Sequence, residues 1–141
     1  VGSEMCIRDS FGPAGPDKLT ADYWGINNNS AIVYLNYGDF QMLFTADMEW
    51  TAEANFINND VLDGRQVDVL KVGHHGNDTS STGNFVAYVK APIGIISRAK
   101  ESVTENRAYK DLINGGVSLY ETSANDGVSI YATEENWTFG K

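Results

Sequence analysis

The sequence is poor in cysteine, histidine and basic residues, and each shortage excludes a class of protein. Its 141 residues include one cysteine and two histidines, and no apolar run is long enough to span a membrane. A single cysteine excludes an intramolecular disulfide and a zinc site built from several cysteines. Ten Lys and Arg residues against 19 Asp and Glu residues give a net charge of −9, which argues against a broad basic surface for nucleic acid. Phosphate chemistry stays open, because bound divalent metal ions supply positive charge locally.

The first ten residues differ from the rest of the chain. Residues 1–10 have neither a methionine at position 1 nor the apolar core of a signal peptide. They resemble a translated sequencing-library adaptor, so we expect them to be non-native and the natural sequence to begin near Phe11, as a fragment of a longer protein. Residues 11–141 would then be a partial domain without cysteine, since Cys6 is the only one.

The hydrophobic pattern predicts an α/β domain. Strands over 31–37 and 40–45 are separated by Gly38-Asp39, a hairpin spacer with both residues expected at positive φ. A helix over about 48–59 would turn Trp50, Ala54 and Ile57 toward the sheet, with Ala52 and Phe56 close to that face. The order β-β-α-β-α-β-α-β-β then predicts a mixed sheet flanked by helices. The later predicted elements are strands over 67–72, 93–97, 117–122 and 128–133, a helix capped within 79–81 that ends before Pro92, and a helix from Ser102 to Asn114.

The two histidines of the chain, His74 and His75, are adjacent and follow the strand over 67–72, between Gly73 and Gly76. Imidazoles at a strand end suit metal binding, because fixed backbone beneath them holds the ligand geometry. Two loop histidines that hydrogen-bond to backbone, or cap the next helix, are an equally good interpretation.

Asp47 ends the second strand just ahead of a helix. A carboxylate there is either a helix cap that compensates the dipole or a functional group at the strand end.

Three motifs, over 27–33, 43–47 and 68–76, resemble in order and spacing the C-terminal half of a metallo-β-lactamase-fold hydrolase. The ComEC-like branch of that family is the most similar, and the hydrolase module of choline-binding protein E is also similar. The resemblance runs from about Gly12 to Tyr131. It implies that residues 11–141 are part of an αββα sandwich, with a mixed sheet flanked by helices.

The resemblance also implies a site. Asp47 would bridge two metal ions, usually zinc with manganese as an alternative, and His74 would be the last histidine ligand. His75 would assist in catalysis, and Ser80 would lie just behind the ligands. A metal-bound hydroxide would attack a phosphodiester or related ester. Asn29 matches the position of a middle ligand, although a turn residue ahead of the strand is the alternative.

The sequence departs from the family in three places. The HxHxDH motif, which supplies most of the ligands, is absent from this chain. Ala46 stands where relatives usually have glycine, and residues 102–106 replace a Gly-His-Pro loop. Arg98 is then a candidate to bind the substrate anion, and a solvated arginine paired with Glu101 or Glu105 is its alternative.

The leading interpretation is a fragment of a dinuclear zinc hydrolase that is inactive alone. Its partners would be the missing N-terminal half of the same domain and a small-molecule or polymer phosphoester. A degenerate binding module, and part of a ComEC-like DNA-uptake protein, are the alternatives, and nucleic acid would be a partner only in the last case. The resemblance favours the extracellular or cell-surface side of a bacterial membrane. We also expect a lone half-domain to leave one apolar sheet face uncovered.

Overall fold

The computed structural model describes residues 6–11, 26–99, 104–124 and 126–140. The elements in chain order are β1 (Cys6–Phe11), β2 (Ile32–Tyr37), β3 (Phe40–Phe44), α1 (Trp50–Asn58), β4 (Val69–Lys71), α2 (Gly83–Val89), β5 (Ile93–Ile96), α3 (Arg107–Asn114), β6 (Ser118–Glu121), β7 (Ser129–Ala132) and β8 (Trp137–Gly140). A single 3-10 turn lies at Asn27–Asn29, and Gly73–Gly76 form a turn in which His74 and His75 have left-handed backbone. Among these residues, no helix is long and apolar enough to cross a bilayer.

Six strands form one mixed sheet in the order β1-β2-β3-β4-β5-β6. The first three strands pair antiparallel and the last four pair parallel. The predicted α/β class with a mixed sheet is confirmed. Because β3, β4 and β5 are parallel, the segments that follow them emerge at the same edge of the sheet, and this edge carries the candidate site.

The three helices cover one face of the sheet. Their apolar side chains meet inward-facing residues of β2 to β5 in a single core, in which Leu43, Leu70 and Leu112 are at most 1% exposed. Phe56 of α1 packs edge-on against Phe85 of α2, with ring centroids 5.8 Å apart. Burial of this core is the main source of stability available to the domain.

The hairpin β7–β8 covers the other face. Phe40, Met42, Val69 and Ile95 lie under it and are at most 7% exposed. The expectation that this face lacks a partner is therefore wrong for the described residues. β8 was not predicted from the sequence. It pairs with β7 in a separate two-stranded sheet, and β6 pairs with β5 in the main sheet.

Five of the ten residues predicted to be non-native, 6–10, form most of β1, and all of them except Arg8, where the register shifts, pair with β2. Antiparallel pairing uses the backbone N–H and C=O groups of these residues, so it does not depend on which side chains the segment carries. Their non-native origin stays a prediction.

The predicted inward face of α1 is right for Ala52, Phe56 and Ile57, which lie in or pack against the core, and wrong for Trp50 and Ala54. Trp50 is 49% exposed and Ala54 is exposed, while Ala52, Glu53 and Phe56 are buried. The sequence pattern is misleading here because Glu53 turns inward to bind backbone N–H groups of the segment before α2. A charged residue on the buried face hides the helical period of the apolar residues.

Three local predictions also differ from the structure. Gly38 has positive φ, but Asp39 does not. Thr82 caps α2 by accepting a hydrogen bond from Phe85 N, in place of the predicted cap within 79–81. The helix predicted from Ser102 begins at Arg107, where the Asn106 side chain accepts from Tyr109 N, and Ser102 itself lies outside the described residues.

Candidate functional site

The site lies where the ends of β3 and β4 emerge side by side. Phe44 pairs with Lys71, the last residue of β4. Beyond the strands, the backbone N–H of His74 donates to the Ala46 carbonyl at 3.0 Å, and the Thr45 hydroxyl donates to the Lys71 carbonyl at 2.8 Å. These bonds hold the 45–47 segment against the start of the histidine turn.

Left-handed backbone is concentrated at this corner. Ala46, His74 and His75 have φ of 46°, 44° and 55°, and Gly76 has φ of 76°. Residues with a Cβ adopt this conformation at a cost, and such strain is often kept where it aims functional side chains. One of the bonds that hold the turn comes from Ser80, whose hydroxyl donates to the Gly73 carbonyl at 2.8 Å.

His75 faces Asp47. Its Nε2 lies 3.5 Å from Asp47 Oδ1, and the two side chains are 54% and 42% exposed. His75 Nδ1 lies 2.7 Å from the Ser97 carbonyl. A carbonyl only accepts hydrogen bonds, so Nδ1 must carry the hydrogen. In the neutral ring the lone pair of Nε2 then faces a carboxylate, an arrangement that a proton or a metal ion between the two atoms would stabilise.

His74 is held by a different carboxylate. Its Nδ1 lies 3.1 Å from Glu49 Oε1 and 3.1 Å from the Thr79 hydroxyl. The Thr79 hydroxyl donates its one hydrogen to Glu49 Oε1 at 2.8 Å, so it can only accept from His74. Nδ1 of His74 therefore also carries the hydrogen, and Nε2 is the free lone pair. The two imidazoles thus present the same kind of nitrogen, with ring centroids 6.4 Å apart.

Asp47 and His74 were expected to converge, and the backbone at 46 does bond to His74. The side chain that contacts the Asp47 carboxylate is nevertheless that of His75. The reversal at His74 and His75 sends the two rings to different carboxylates, a consequence of backbone angles that sequence spacing does not reveal.

The chain is similar to part of two known proteins. It is 31% identical to ComE operon protein 3 of Bacillus subtilis (strain 168) over 105 residues, which cover 72% of this chain and 13% of that protein. It is 31% identical to Recombination protein 2 of Haemophilus influenzae (strain ATCC 51907 / DSM 11121 / KW20 / Rd) over 74 residues, 52% of this chain and 9% of that protein. The chain therefore spans only a small part of the length of these relatives. No family model and no solved structure matches it.

These similarities support the ComEC-like relationship predicted from the sequence, while the metallo-β-lactamase fold stays a prediction. The stretch shared with ComE operon protein 3 includes Asp47, His74 and His75. The shared stretch covers 72% of this chain. The residues that it leaves out are fewer than those before Asp47 and also fewer than those after His75, so residues 47–75 lie within the shared stretch wherever it begins.

Two buried carboxylates were missed by the sequence analysis. Glu49 is 6% exposed and Glu53 is 1% exposed, and together they bind the segment that connects the histidine turn to α2. Burial raises the pKa of Glu53, while hydrogen bonds from Thr82 and Ser81 and the charge of Arg107 oppose that rise. Their spacing of four residues could have revealed them, because it places both carboxylates on the same side of α1, just after Asp47.

The other predicted site residues lie around this corner. Ser80 is fully buried, and its hydroxyl donates to backbone carbonyls within its own loop. Asn29 lies in the 3-10 turn, where its neighbour Asn27 is the residue that donates to Glu49, at 3.3 Å. Arg98 lies on the same edge of the sheet, with Nη1 3.5 Å from the His75 carbonyl.

Lys71 adds a half-buried cation near Asp47. Burial lowers its pKa, and the Asp47 carboxylate opposes that effect. Its Nζ donates to the Val72 carbonyl at 2.8 Å.

The residues suit zinc in kind but not in number. Two imidazole nitrogens and a carboxylate are ordinary zinc donors, and a catalytic zinc uses about three protein groups and water. Within residues 6–11, 26–99, 104–124 and 126–140, however, no group of three or more His, Cys, Asp or Glu side chains is arranged to hold a metal ion. The described residues could therefore supply one side of a metal site and would need ligands from elsewhere.

Proposed function

We propose that this chain is part of a ComEC-like protein that acts in DNA uptake, and that it supplies one side of a metal-dependent hydrolase site. One observation carries the proposal: His75 and Asp47 converge, with the hydrogen of His75 fixed on Nδ1, inside the stretch shared with ComE operon protein 3. The substrate would be a phosphodiester or related ester, and the site would lie on the extracellular or cell-surface side of a bacterial membrane.

Asp47 and His75, whose side chains converge, would hold the metal together with ligands from elsewhere in the full-length protein, and His74 would lie beside them. Zinc, or manganese in its place, would activate water and stabilise negative charge on the substrate when bound. The residues of this chain prepare the ligands. The Ser97 carbonyl orients His75, the Glu49 carboxylate orients His74, and the guanidinium of Arg98 offers a fixed positive charge nearby.

The test uses the full-length protein and a chromogenic phosphodiester. We expect zinc-dependent hydrolysis by the wild-type protein. Loss of a residue that only supports a metal ligand typically costs roughly 10–100-fold in activity, and Asp47→Ala should reduce the rate by more than that. Asp39→Ala, an exposed change in the β2–β3 turn, is the control and should retain the wild-type rate. Equal rates in the two variants, each folded by circular dichroism, would contradict the proposal.

A second candidate is a binding module that has lost its catalytic site. It is favoured by the shortage of ligands, since the described residues contain no group of three. The two functions separate in a DNA-uptake assay on cells that carry Asp47→Ala. Normal uptake would favour the module, and loss of uptake together with loss of hydrolysis would favour the enzyme.

A further inference from the structure

Glu49 is a buried carboxylate that lies directly against the histidine turn, next to His74. It is 6% exposed, and its Oε1 accepts from the Thr79 hydroxyl at 2.8 Å and from Asn27 Nδ2 at 3.3 Å, and lies 3.1 Å from His74 Nδ1. A carboxylate removed from water is stabilised only when such donors surround it. Its position therefore depends on the histidine turn, and the turn depends on it.

We propose that Glu49, with Thr79, is the positioning carboxylate that fixes His74 in the Nδ1–H tautomer and so leaves Nε2 with its lone pair, the form in which a neutral imidazole can act as a ligand. This proposal rests on the proposed function for the metal and on the geometry above for the tautomer. Asp47 does not take this role for His74, because its carboxylate faces His75.

The two histidines are placed in the same tautomer by different means. The acceptor for His75 is the backbone carbonyl of Ser97, which no substitution at 49 or 79 removes. The acceptor for His74 is a side chain, and it can be deleted. Since the chain has only two histidines, His75 is an internal control within every sample.

The primary experiment is NMR of the 141-residue chain labelled with ¹⁵N in histidine, at a pH where both rings are neutral. Long-range ¹H–¹⁵N correlations identify which ring nitrogen carries the hydrogen. We expect Nδ1–H for His74 and His75 in the wild-type chain. Glu49→Met keeps the length of the side chain but removes the acceptor, so it should shift His74 toward Nε2–H and leave His75 unchanged.

Glu49→Gln is the conservative rescue, since its amide oxygen can still accept from Nδ1, and it should retain most of the Nδ1–H form. Thr79→Val should weaken the preference of His74 less than Glu49→Met does. A wild-type His74 that carries its hydrogen on Nε2 would overturn the proposal, and this result needs no variant to fold. An unchanged His74 tautomer in a folded Glu49→Met chain would also overturn it.

Zinc binding by the full-length protein separates this proposal from the function on which it rests. If the positioning role is right, Glu49→Met weakens zinc affinity about 10–100-fold and Glu49→Gln weakens it less. If the wild-type protein binds no zinc while His74 shows the expected tautomer, the proposed function fails and the positioning role of Glu49 stands.

Discussion

Replacing Ala46 by glycine should stabilise the chain, although glycine usually destabilises proteins. Ala46 has φ of 46°, and an L-residue in left-handed backbone costs about 1–2 kcal/mol. Glycine avoids that cost but adds flexibility to the unfolded chain, worth about 0.5–1 kcal/mol in the other direction. Ala46 is exposed, so little packing is lost. The strain relief is the larger effect, and we expect a net gain of about 0.5–1 kcal/mol in the free energy of unfolding.

The matched control is Ala54→Gly. Ala54 is also exposed, but it lies in α1 at right-handed backbone, where glycine costs about 1 kcal/mol relative to alanine. Urea denaturation followed by circular dichroism should move the two midpoints in opposite directions, each by about 0.5 M. If Ala46→Gly lowers the midpoint as Ala54→Gly does, position 46 is not strained and the left-handed geometry of the corner is wrong.

The same angle bears on the glycine that the resemblance led us to expect at this position. Left-handed backbone is where glycine is favoured. The Ala46 carbonyl accepts from His74 N, so this conformation also sets how the segment that bears Asp47 lies against the histidine turn.

Three further predictions concern charge, packing and substrate. Burial raises the pKa of Glu53 above its ordinary 4.5, so the contribution of Glu53 to stability is present below pH 4.5 and is lost as the pH rises through the folded pKa. Relative to Glu53→Gln, the wild type should therefore lose free energy of unfolding over that rise in pH. Parallel curves of unfolding free energy against pH for the two proteins would contradict this. Phe85→Ala should cost about 3–5 kcal/mol in urea denaturation because Phe85 is 1% exposed, while Phe44→Ala, at a side chain 36% exposed, should cost much less; similar losses would show that the core is misplaced. In the full-length protein, Arg98→Lys keeps the positive charge but loses the planar guanidinium fork, so the rate of hydrolysis should fall more for a phosphodiester than for an uncharged ester. Equal losses of rate on the two substrates would show that Arg98 has no role in binding the anion.

The sequence pattern located most of the main sheet and the turn that carries the site. Val67, Val69, Leu70 and Val72 are each at most 2% exposed, as a strand buried on two faces requires. A run of apolar residues can be recognised in the sequence itself, without knowledge of contacts between distant segments. The α/β class follows from the alternation of such runs with helical segments.

What the sequence did not reveal depends on contacts between distant segments. Glu53 looks like a surface residue of α1 until the N–H groups of Ser81 and Thr82 are brought to it across 28 and 29 positions. The pairing of Asp47 with His75 depends on left-handed angles at two consecutive histidines. Asparagine, aspartate and histidine are enriched at these angles among residues other than glycine, but the enrichment is too weak to predict that two consecutive histidines adopt them.

The central claim is that Asp47 and the histidine turn form one side of a metal site, and metal content tests it most directly. Full-length wild-type protein, Asp47→Ala and the exposed-turn control Asp39→Ala would be purified in parallel and their zinc and manganese measured by elemental analysis. The account predicts bound metal in the wild type and in Asp39→Ala, and loss of at least one ion per chain in Asp47→Ala. Metal content that is unchanged in Asp47→Ala, or a wild-type protein that holds no metal after incubation with zinc, would contradict it.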